Sequence, residues 1–163
     1  MATHPVKQPD WIDTAPILVS ETIEIDASPD RVWTHIADHT AWPEWFEALD
    51  EVRPGATSTG VGGTRQVVAK PITIDEQFTA WDEGEHFAFA IVGSKLPMLA
   101  AAAESVRLES IDGGRCRVTY RQGVEGRRGL GWLMKLAWTP ARKGLPPALA
   151  ALKQRVEADT TRT

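Results

Sequence analysis

The C-terminal part of the chain, from Leu130 to Glu157, carries one apolar stripe with the spacing of an α-helix. The stripe consists of Leu130, Leu133, Met134, Ala137, Ala141, Leu145, Leu149, Leu152 and Val156. Steps of three and four residues place these side chains on one helical face. Because Pro146-Pro147 interrupts the pattern, we predict two helical segments, at residues 129–143 and 146–158. An amphipathic helix needs a surface on which to bury its stripe, and the preceding residues must form that surface.

Most of the chain before this stripe alternates between apolar and polar side chains, which is typical of half-buried strands. A first strand is predicted at residues 17–25. A helix capped by Ser28 and begun by Pro29 follows it, and a second short helix is predicted over residues 41–49. The remaining strands are predicted at residues 51–56, 63–69, 72–82, 85–93, 103–111 and 115–125.

The order of these elements predicts an α+β fold, in which a curved antiparallel sheet of six to seven strands wraps around the long C-terminal helix. Tight turns at Asp82-Glu83-Gly84 and Asp112-Gly113-Gly114 favour hairpins and therefore antiparallel pairing. Residues 1–17, which contain three prolines, are predicted to form an irregular arm. Residues 18–159 are predicted to form a single domain, followed by a short tail at 160–163.

The composition argues against several classes of function. Eighteen Lys and Arg residues against 22 Asp and Glu residues give a net charge of −4, which does not favour nucleic acid as a partner. The single cysteine, Cys116, cannot form an intrachain disulfide and fits a reducing compartment. We find neither a run of apolar residues long enough to cross a bilayer nor a signal peptide pattern. We therefore expect a cytoplasmic protein.

Five stretches, in this order, resemble a known superfamily. They are SETIEIDASPDRVWTHIADHTAWPEWF (20–46), GVGGTRQV (60–67), TIDEQFTAWDEGEHFAFAIVG (73–93), LESIDGGRCRVTYR (108–121) and LAALKQRVEA (149–158). Their order and spacing resemble the SRPBCC or START-like superfamily of polyketide cyclase/dehydrase and lipid-transport proteins. The resemblance implies a helix-grip fold with two short helices after the first strand, and a cavity for a hydrophobic ligand. It implies no single reaction, because one fold hosts many functions. We expect no cofactor.

Strand parity places three polar side chains on the predicted inner face of the sheet. Glu76 shares its face with Phe78, and Tyr120 and Gln122 share theirs with Val118. A buried carboxylate has a raised pKa and is a candidate for acid–base chemistry, although an ion pair with an arginine would also explain it. The phenol and the amide either orient a ligand or form hydrogen bonds within the core.

The side chains expected to contact a ligand come from the helices and from the inner face of the sheet. They are Trp33, Trp45, Phe78, Phe87, Phe89, Val106, Leu108, Val118, Gln122, Met134, Ala137 and Trp138. The same residues also fit an ordinary core. One hypothesis is therefore binding and transport of a hydrophobic small molecule such as a lipid or a polyketide. The alternative is a polyketide cyclase/dehydratase with Glu76 as base, Tyr120 as hydrogen-bond donor and Gln122 as a positioning group.

Two histidines have the spacing of metal ligands. His35 and His39 are four residues apart, which suits two ligands on one helical face. No third ligand has a motif-like spacing, so we predict no metal site.

A basic segment offers a third, non-catalytic hypothesis. Arg127 and Arg128 lie close to Trp132, in a part of the chain that is rich in Lys and Arg. Cations beside exposed apolar side chains suit contact with an anionic membrane or an acidic partner. A basic face that is only solvated is the other interpretation.

Overall fold

The computed structural model describes residues 1–112 and 114–160. Within them the strands and α-helices follow in this order: β1 (Ala2–Thr3), β2 (Ile17–Ile25), α1 (Pro29–Ala37), β3 (Glu51–Pro54), β4 (Thr64–Ala69), β5 (Ile72–Asp82), β6 (His86–Ser94), β7 (Leu99–Asp112), β8 (Arg115–Gly126), α2 (Gly131–Ala137) and α3 (Thr139–Thr160). Two 3-10 helices add to these, at Pro9–Thr14 and His39–Glu44. Gly113 of a predicted turn and residues 161–163 of the predicted tail lie outside the described residues.

One antiparallel sheet contains all of these strands. Its order is β2-β8-β7-β6-β5-β4-β3, and every neighbouring pair is antiparallel. The short strand β1 pairs with the end of β6, where Ala2 lies opposite Ser94 and Thr3 opposite Gly93. The predicted antiparallel sheet is confirmed, and β1 is an additional strand that we did not predict.

The long C-terminal helix packs on this sheet as predicted. Leu145, Leu149, Leu152 and Val156 of α3 are buried in the core, and α3 contacts β2 and α1. The helix-grip arrangement is therefore confirmed. Among residues 1–112 and 114–160, no helix has both the length and the apolar character that crossing a bilayer requires.

The break in the C-terminal helical region lies at Trp138 and not near Leu145, so the predicted boundary is wrong. α3 continues through Pro146-Pro147. A proline inside a helix costs about 3 kcal/mol or more. Leu145, Ala148 and Leu149 are buried around the two prolines, and burial of apolar side chains on this scale offsets that cost.

Two further predicted segments differ from the structure. The second short helix is a 3-10 helix at His39–Glu44 rather than a helix over 41–49, and Pro43 lies inside it. The indole Nε1 of Trp42 donates to the carbonyl of Ile36 at 3.0 Å, which ties this helix to the end of α1. β7 begins at Leu99 instead of residue 103, because the small residues that follow Leu99 pair with β8.

The N-terminal arm is more regular than its prolines predict. Besides β1 it contains the 3-10 helix Pro9–Thr14, which places the side chain of Ile12 in the interior. His4 follows β1 and is also buried, with its Nε2 2.8 Å from Oγ of Ser94. The arm therefore packs along the sheet.

Candidate functional site

A cavity of about 500 Å³ lies between the sheet and the junction of α2 and α3. Most of its lining is apolar and comes from the segment 42–49, from β4, β5 and β6, and from α2 with the start of α3. Its polar or charged lining residues are Arg65, Lys70, Glu76, Glu104, Tyr120 and Gln122. A cavity of this volume is within the range of small-molecule sites.

The cavity opens to solvent on one side. Five of the residues that line it are exposed: Ala48, Lys70, Pro71, Ala137 and Pro140. They belong to the end of the 42–49 segment, to the turn between β4 and β5, and to the α2–α3 junction. We refer to this opening as the mouth of the cavity.

A buried ion pair lies inside the cavity, on two neighbouring strands. Arg65 of β4 and Glu76 of β5 are direct cross-strand partners. Nε of Arg65 donates to Oε2 of Glu76 at 2.6 Å, and the two side chains are only 1% and 6% exposed. Burial raises the pKa of the Glu76 carboxyl, while the charge and hydrogen bond of Arg65 act against that rise.

The guanidinium of Arg65 is surrounded by aromatic rings. Its Cζ lies 4.2 Å from the ring centroid of Trp42 and 4.6 Å from that of Phe89, distances typical of cation–π contacts. Its Nη1 is buried and has no hydrogen-bond partner among the described residues. A buried donor that makes no hydrogen bond is energetically costly. The cavity therefore favours a ligand with an acceptor atom that can take this hydrogen bond.

A second polar cluster joins β7 and β8. The hydroxyl of Tyr120 donates to Oε2 of Glu104 at 2.5 Å, and the side chain of Gln122, opposite Glu104 in the sheet, also hydrogen-bonds to that carboxyl. Nε1 of Trp138 donates to Oε1 of Gln122 at 3.1 Å. This last bond links the cluster to the α2–α3 junction.

Glu104 is a buried titratable group of the cavity. Burial and the nearby charge of Glu76 raise its pKa to about 7, against the opposing hydrogen bonds from Tyr120 and Gln122. Burial also raises the pKa of Tyr120, and the adjacent Glu104 adds to the effect. Near neutral pH, Glu104 can therefore accept or donate a proton while the phenol of Tyr120 remains protonated.

The family model described as "Polyketide cyclase / dehydrase and lipid transport" matches residues 16–157. The chain belongs to this family. The match covers nearly all of the chain after the N-terminal arm, and it confirms the resemblance that the five sequence stretches carry.

The chain is similar in sequence to uncharacterized proteins and similar in fold to proteins of solved structure. An uncharacterized protein of Mycobacterium tuberculosis is 30% identical over 144 residues, which are 87% of this chain and 75% of the relative. A START superfamily protein from Mycobacterium smegmatis has a TM-score of 0.70 at 15% identity, over 86% of this chain and 97% of that one. The Zhui aromatase/cyclase from Streptomyces sp. R1128 has the same TM-score and identity, over 86% and 93%. The two structures support the fold of this family member.

The structure brings together part of the set expected to contact a ligand. Phe89, Gln122, Met134, Ala137 and Trp138 line the cavity. Glu76 and Tyr120 line it as well, but each is hydrogen-bonded to a different partner, Arg65 and Glu104 respectively.

The other expected side chains are buried outside the cavity lining: Trp33, Trp45, Phe78, Phe87, Val106, Leu108 and Val118. Several belong to an aromatic cluster beside α1, in which the ring centroids of Phe78 and Phe87 are 5.0 Å apart and those of Trp33 and Trp81 are 5.5 Å apart. These rings fill one part of the concave face, so the space for a ligand lies in the other part.

Sequence reasoning missed Arg65 and Glu104. Arg65 lies two residues before Val67, and Glu104 lies two residues before Val106, so each shares the inward face of its strand. That parity was the available signal. Because charged residues are mostly exposed, Arg65 and Glu104 were not expected on the inner face of the sheet.

The two histidines with helical spacing have separate partners. Nε2 of His35 lies 3.4 Å from a carboxylate oxygen of Asp159, whereas Nε2 of His39 lies 2.8 Å from the carbonyl of Ser58. Within the described part of the chain, no group of three or more His, Cys, Asp or Glu side chains is arranged to hold a metal ion.

Proposed function

We propose that this protein binds a hydrophobic small molecule that has at least one acceptor oxygen, such as a lipid or a polyketide. The observation that carries the proposal is the unpaired Nη1 of Arg65, a buried donor in a cavity lined mainly by apolar side chains. The apolar lining favours a hydrophobic body, and the donor favours a carbonyl or hydroxyl oxygen at its inner end. Transport would follow from binding and release of such a molecule.

The binding unit we propose is the single domain of residues 18–159. Every residue that lines the cavity lies between Trp42 and Ala141. The N-terminal arm packs elsewhere, through β1 and Ile12.

A pair of probes tests the acceptor requirement. A hydroxyanthraquinone and anthracene share a three-ring apolar body, but only the first carries oxygens. The double variant Arg65→Met/Glu76→Leu removes the ion pair without leaving one charge buried alone. We expect fluorescence titration to show at least about a tenfold loss of affinity for the quinone, the worth of one hydrogen bond to a charged donor.

Anthracene affinity is the control, and it should change little in the same variant. Native mass spectrometry of the purified protein should also reveal a co-purifying molecule of low mass. Binding of neither probe to the wild type, or equal losses for both, would contradict the proposal.

A second candidate function is cyclisation or dehydration of a polyketide-like substrate, and the pKa of Glu104 favours it. A carboxylate that titrates near pH 7 can take a proton from a carbon between two carbonyls. The enolate oxygen formed would receive a hydrogen bond from Nη1 of Arg65, and the carbanion carbon would attack a second carbonyl of the same chain. The Glu104 acid would then give that proton to the alkoxide formed by the attack, which becomes a hydroxyl group. In dehydration, Glu104 would take the second proton of the same carbon and pass it to this hydroxyl, which leaves as water as the carbon–carbon double bond forms.

In this scheme Glu104 takes the role of base that the sequence suggested for Glu76, because Glu76 is hydrogen-bonded to Arg65. The test is the rate of cyclisation of a linear triketone, followed by absorbance as a function of pH. We expect the wild-type rate to rise to a plateau above an apparent pKa near 7 and Glu104→Gln to be inactive. Unchanged rates in Glu104→Gln would exclude this function.

A further inference from the structure

The outer face of α2 exposes two large apolar side chains. Trp132 and Leu136 are 71% and 65% exposed. They are four residues apart and therefore share one side of the helix. Met134, on the opposite side, is buried and lines the cavity. A single short helix thus has one face toward the cavity and an apolar face toward solvent.

Exposed cations accompany this face. Residues 126–152 contain Arg127, Arg128, Lys135, Arg142 and Lys143 and no acidic residue, in a chain whose net charge is −4. All five side chains are on exposed residues. Lys135, Arg142 and Lys143 also line one groove between α2–α3 and the start of β2. The positive charge is therefore local.

The same helix borders the mouth of the cavity. Ala137, the last residue of α2, and Pro140, in the first turn of α3, are among the exposed residues at the mouth. Leu136 directly precedes Ala137. Whatever contacts the outer face of α2 therefore lies beside the opening through which a ligand would pass.

We propose that the outer face of α2, formed by Trp132, Lys135 and Leu136, docks onto a bilayer that contains anionic lipids, together with Arg128 before the helix and Lys143 of α3. Two projecting apolar side chains suit insertion among lipid headgroups, and scattered cations suit an anionic surface. A protein partner would require a larger complementary area than one seven-residue helix presents.

Docking would place the mouth of the cavity at the membrane surface. The bilayer would then be the source or the destination of the hydrophobic ligand. Docking itself depends only on the surface of α2, whereas this exchange of ligand also rests on the proposed function.

Co-sedimentation with vesicles tests the docking. The wild type should sediment with phosphatidylcholine vesicles that contain phosphatidylglycerol, and less so at high salt. Trp132→Ser/Leu136→Ser and Arg128→Glu/Lys135→Glu should each lower the partition coefficient by about tenfold or more. Arg127 is left intact because its Nε donates to the carbonyl of Leu99.

Matched controls use the same kinds of change elsewhere. Val61→Ser alters an exposed apolar side chain in the segment before β4, and Arg53→Glu/Arg107→Glu alters net charge as much as the basic pair does. Both controls should sediment like the wild type. Wild-type protein that does not sediment with the phosphatidylglycerol-containing vesicles, or face variants that sediment as the wild type does, would overturn the proposal.

A titration with the hydroxyanthraquinone in vesicle-free buffer separates this inference from the proposed function. The face variants should bind the quinone like the wild type, since Trp132 and Leu136 do not line the cavity. Docking without any quinone binding would support the membrane inference and count against the proposed function. Quinone binding without docking would do the reverse.

Discussion

Nε of Arg65 donates to Oε2 of Glu76 at 2.6 Å, across neighbouring strands and inside the ligand-sized cavity. Both side chains are almost fully buried. A buried ion pair offers little net stability compared with an apolar pair, but losing one partner leaves an uncompensated charge. The pair therefore links the stability of the fold to the polar end of the cavity.

Breaking this pair from one side should be costly. We expect Arg65→Met alone to lower the free energy of unfolding by about 3–5 kcal/mol, because Glu76 is left buried and unpaired. The double variant Arg65→Met/Glu76→Leu should recover most of that loss. Urea denaturation of the two variants and the wild type measures both values, and a double variant no more stable than the single one would contradict this account.

An exposed ion pair between Arg53 and Glu51 provides the comparison with the buried pair. Arg53 donates to the carboxylate of Glu51 at 2.6 Å, but both side chains are exposed. Surface pairs of this kind contribute little. Arg53→Met should therefore change the urea midpoint far less than Arg65→Met does.

Glu104 should make the stability fall as the pH rises. Its pKa is about 7 in the folded protein, above its ordinary value of 4.5, so the folded state holds the proton more tightly than the unfolded chain. Its contribution is thus fully present below pH 4.5 and is lost as the pH rises through 7. The loss amounts to about 3 kcal/mol, since one pKa unit corresponds to about 1.4 kcal/mol.

Urea unfolding of the wild type and Glu104→Gln between pH 4 and 8 measures this effect. Because glutamine stays neutral, the variant should gain stability relative to the wild type as the pH rises, up to a plateau above pH 7. Burial also lowers the pKa values of several histidines, and subtracting the two curves removes their contribution. Parallel curves would show that Glu104 has an ordinary pKa.

Strand boundaries were predicted best where the two-residue alternation of apolar and polar side chains ended at turn-forming residues. Residues 17–25 and 72–82 alternate and end at turn residues, and β2 and β5 have those same bounds. Helix boundaries were less predictable: Pro146-Pro147 lies inside α3, because burial of the stripe outweighs local propensity.

The site was harder to predict than the fold. Parity alone places Glu76 inward, yet its partner depends on the register between β4 and β5, which puts Arg65 directly opposite. A shift of one residue would turn Arg65 to the other face. The volume of the cavity also depends on how much of the concave face the aromatic cluster beside α1 fills. The pattern of residues in the sequence does not predict that volume.

Trp138 should stabilise the fold through its hydrogen bond to Gln122. Trp138→Phe removes the Nε1 donor and leaves Oε1 of Gln122 without it. We expect a loss of about 1 kcal/mol beyond the loss of packing. Trp45→Phe is the matched control, because the buried Nε1 of Trp45 has no partner in the described part of the chain. Equal losses of unfolding free energy in the two variants would argue against a role for the hydrogen bond.

Gly126 should allow α2 to approach the sheet closely, because it has no Cβ. It is the last residue of β8, and a Cβ there would lie 2.8 Å from Cβ of Met134 and 2.9 Å from Cα of Gly131. Backbone atoms cannot rotate away, so Gly126→Ala must displace the start of α2. We expect a loss of about 1–3 kcal/mol. Hydrogen exchange in α2 should accelerate, and quinone affinity should fall because Met134 lines the cavity.

Gly131 offers the opposite case at the same junction. A Cβ on Gly131 would meet no atom within 4 Å, and the residue occupies the first position of α2. Alanine is the better helix former, so Gly131→Ala should leave stability unchanged or raise it by up to about 1 kcal/mol. Slower hydrogen exchange in α2 should accompany any gain. If both alanine variants destabilised the protein equally, the close approach at Gly126 would not be what positions α2 over the cavity.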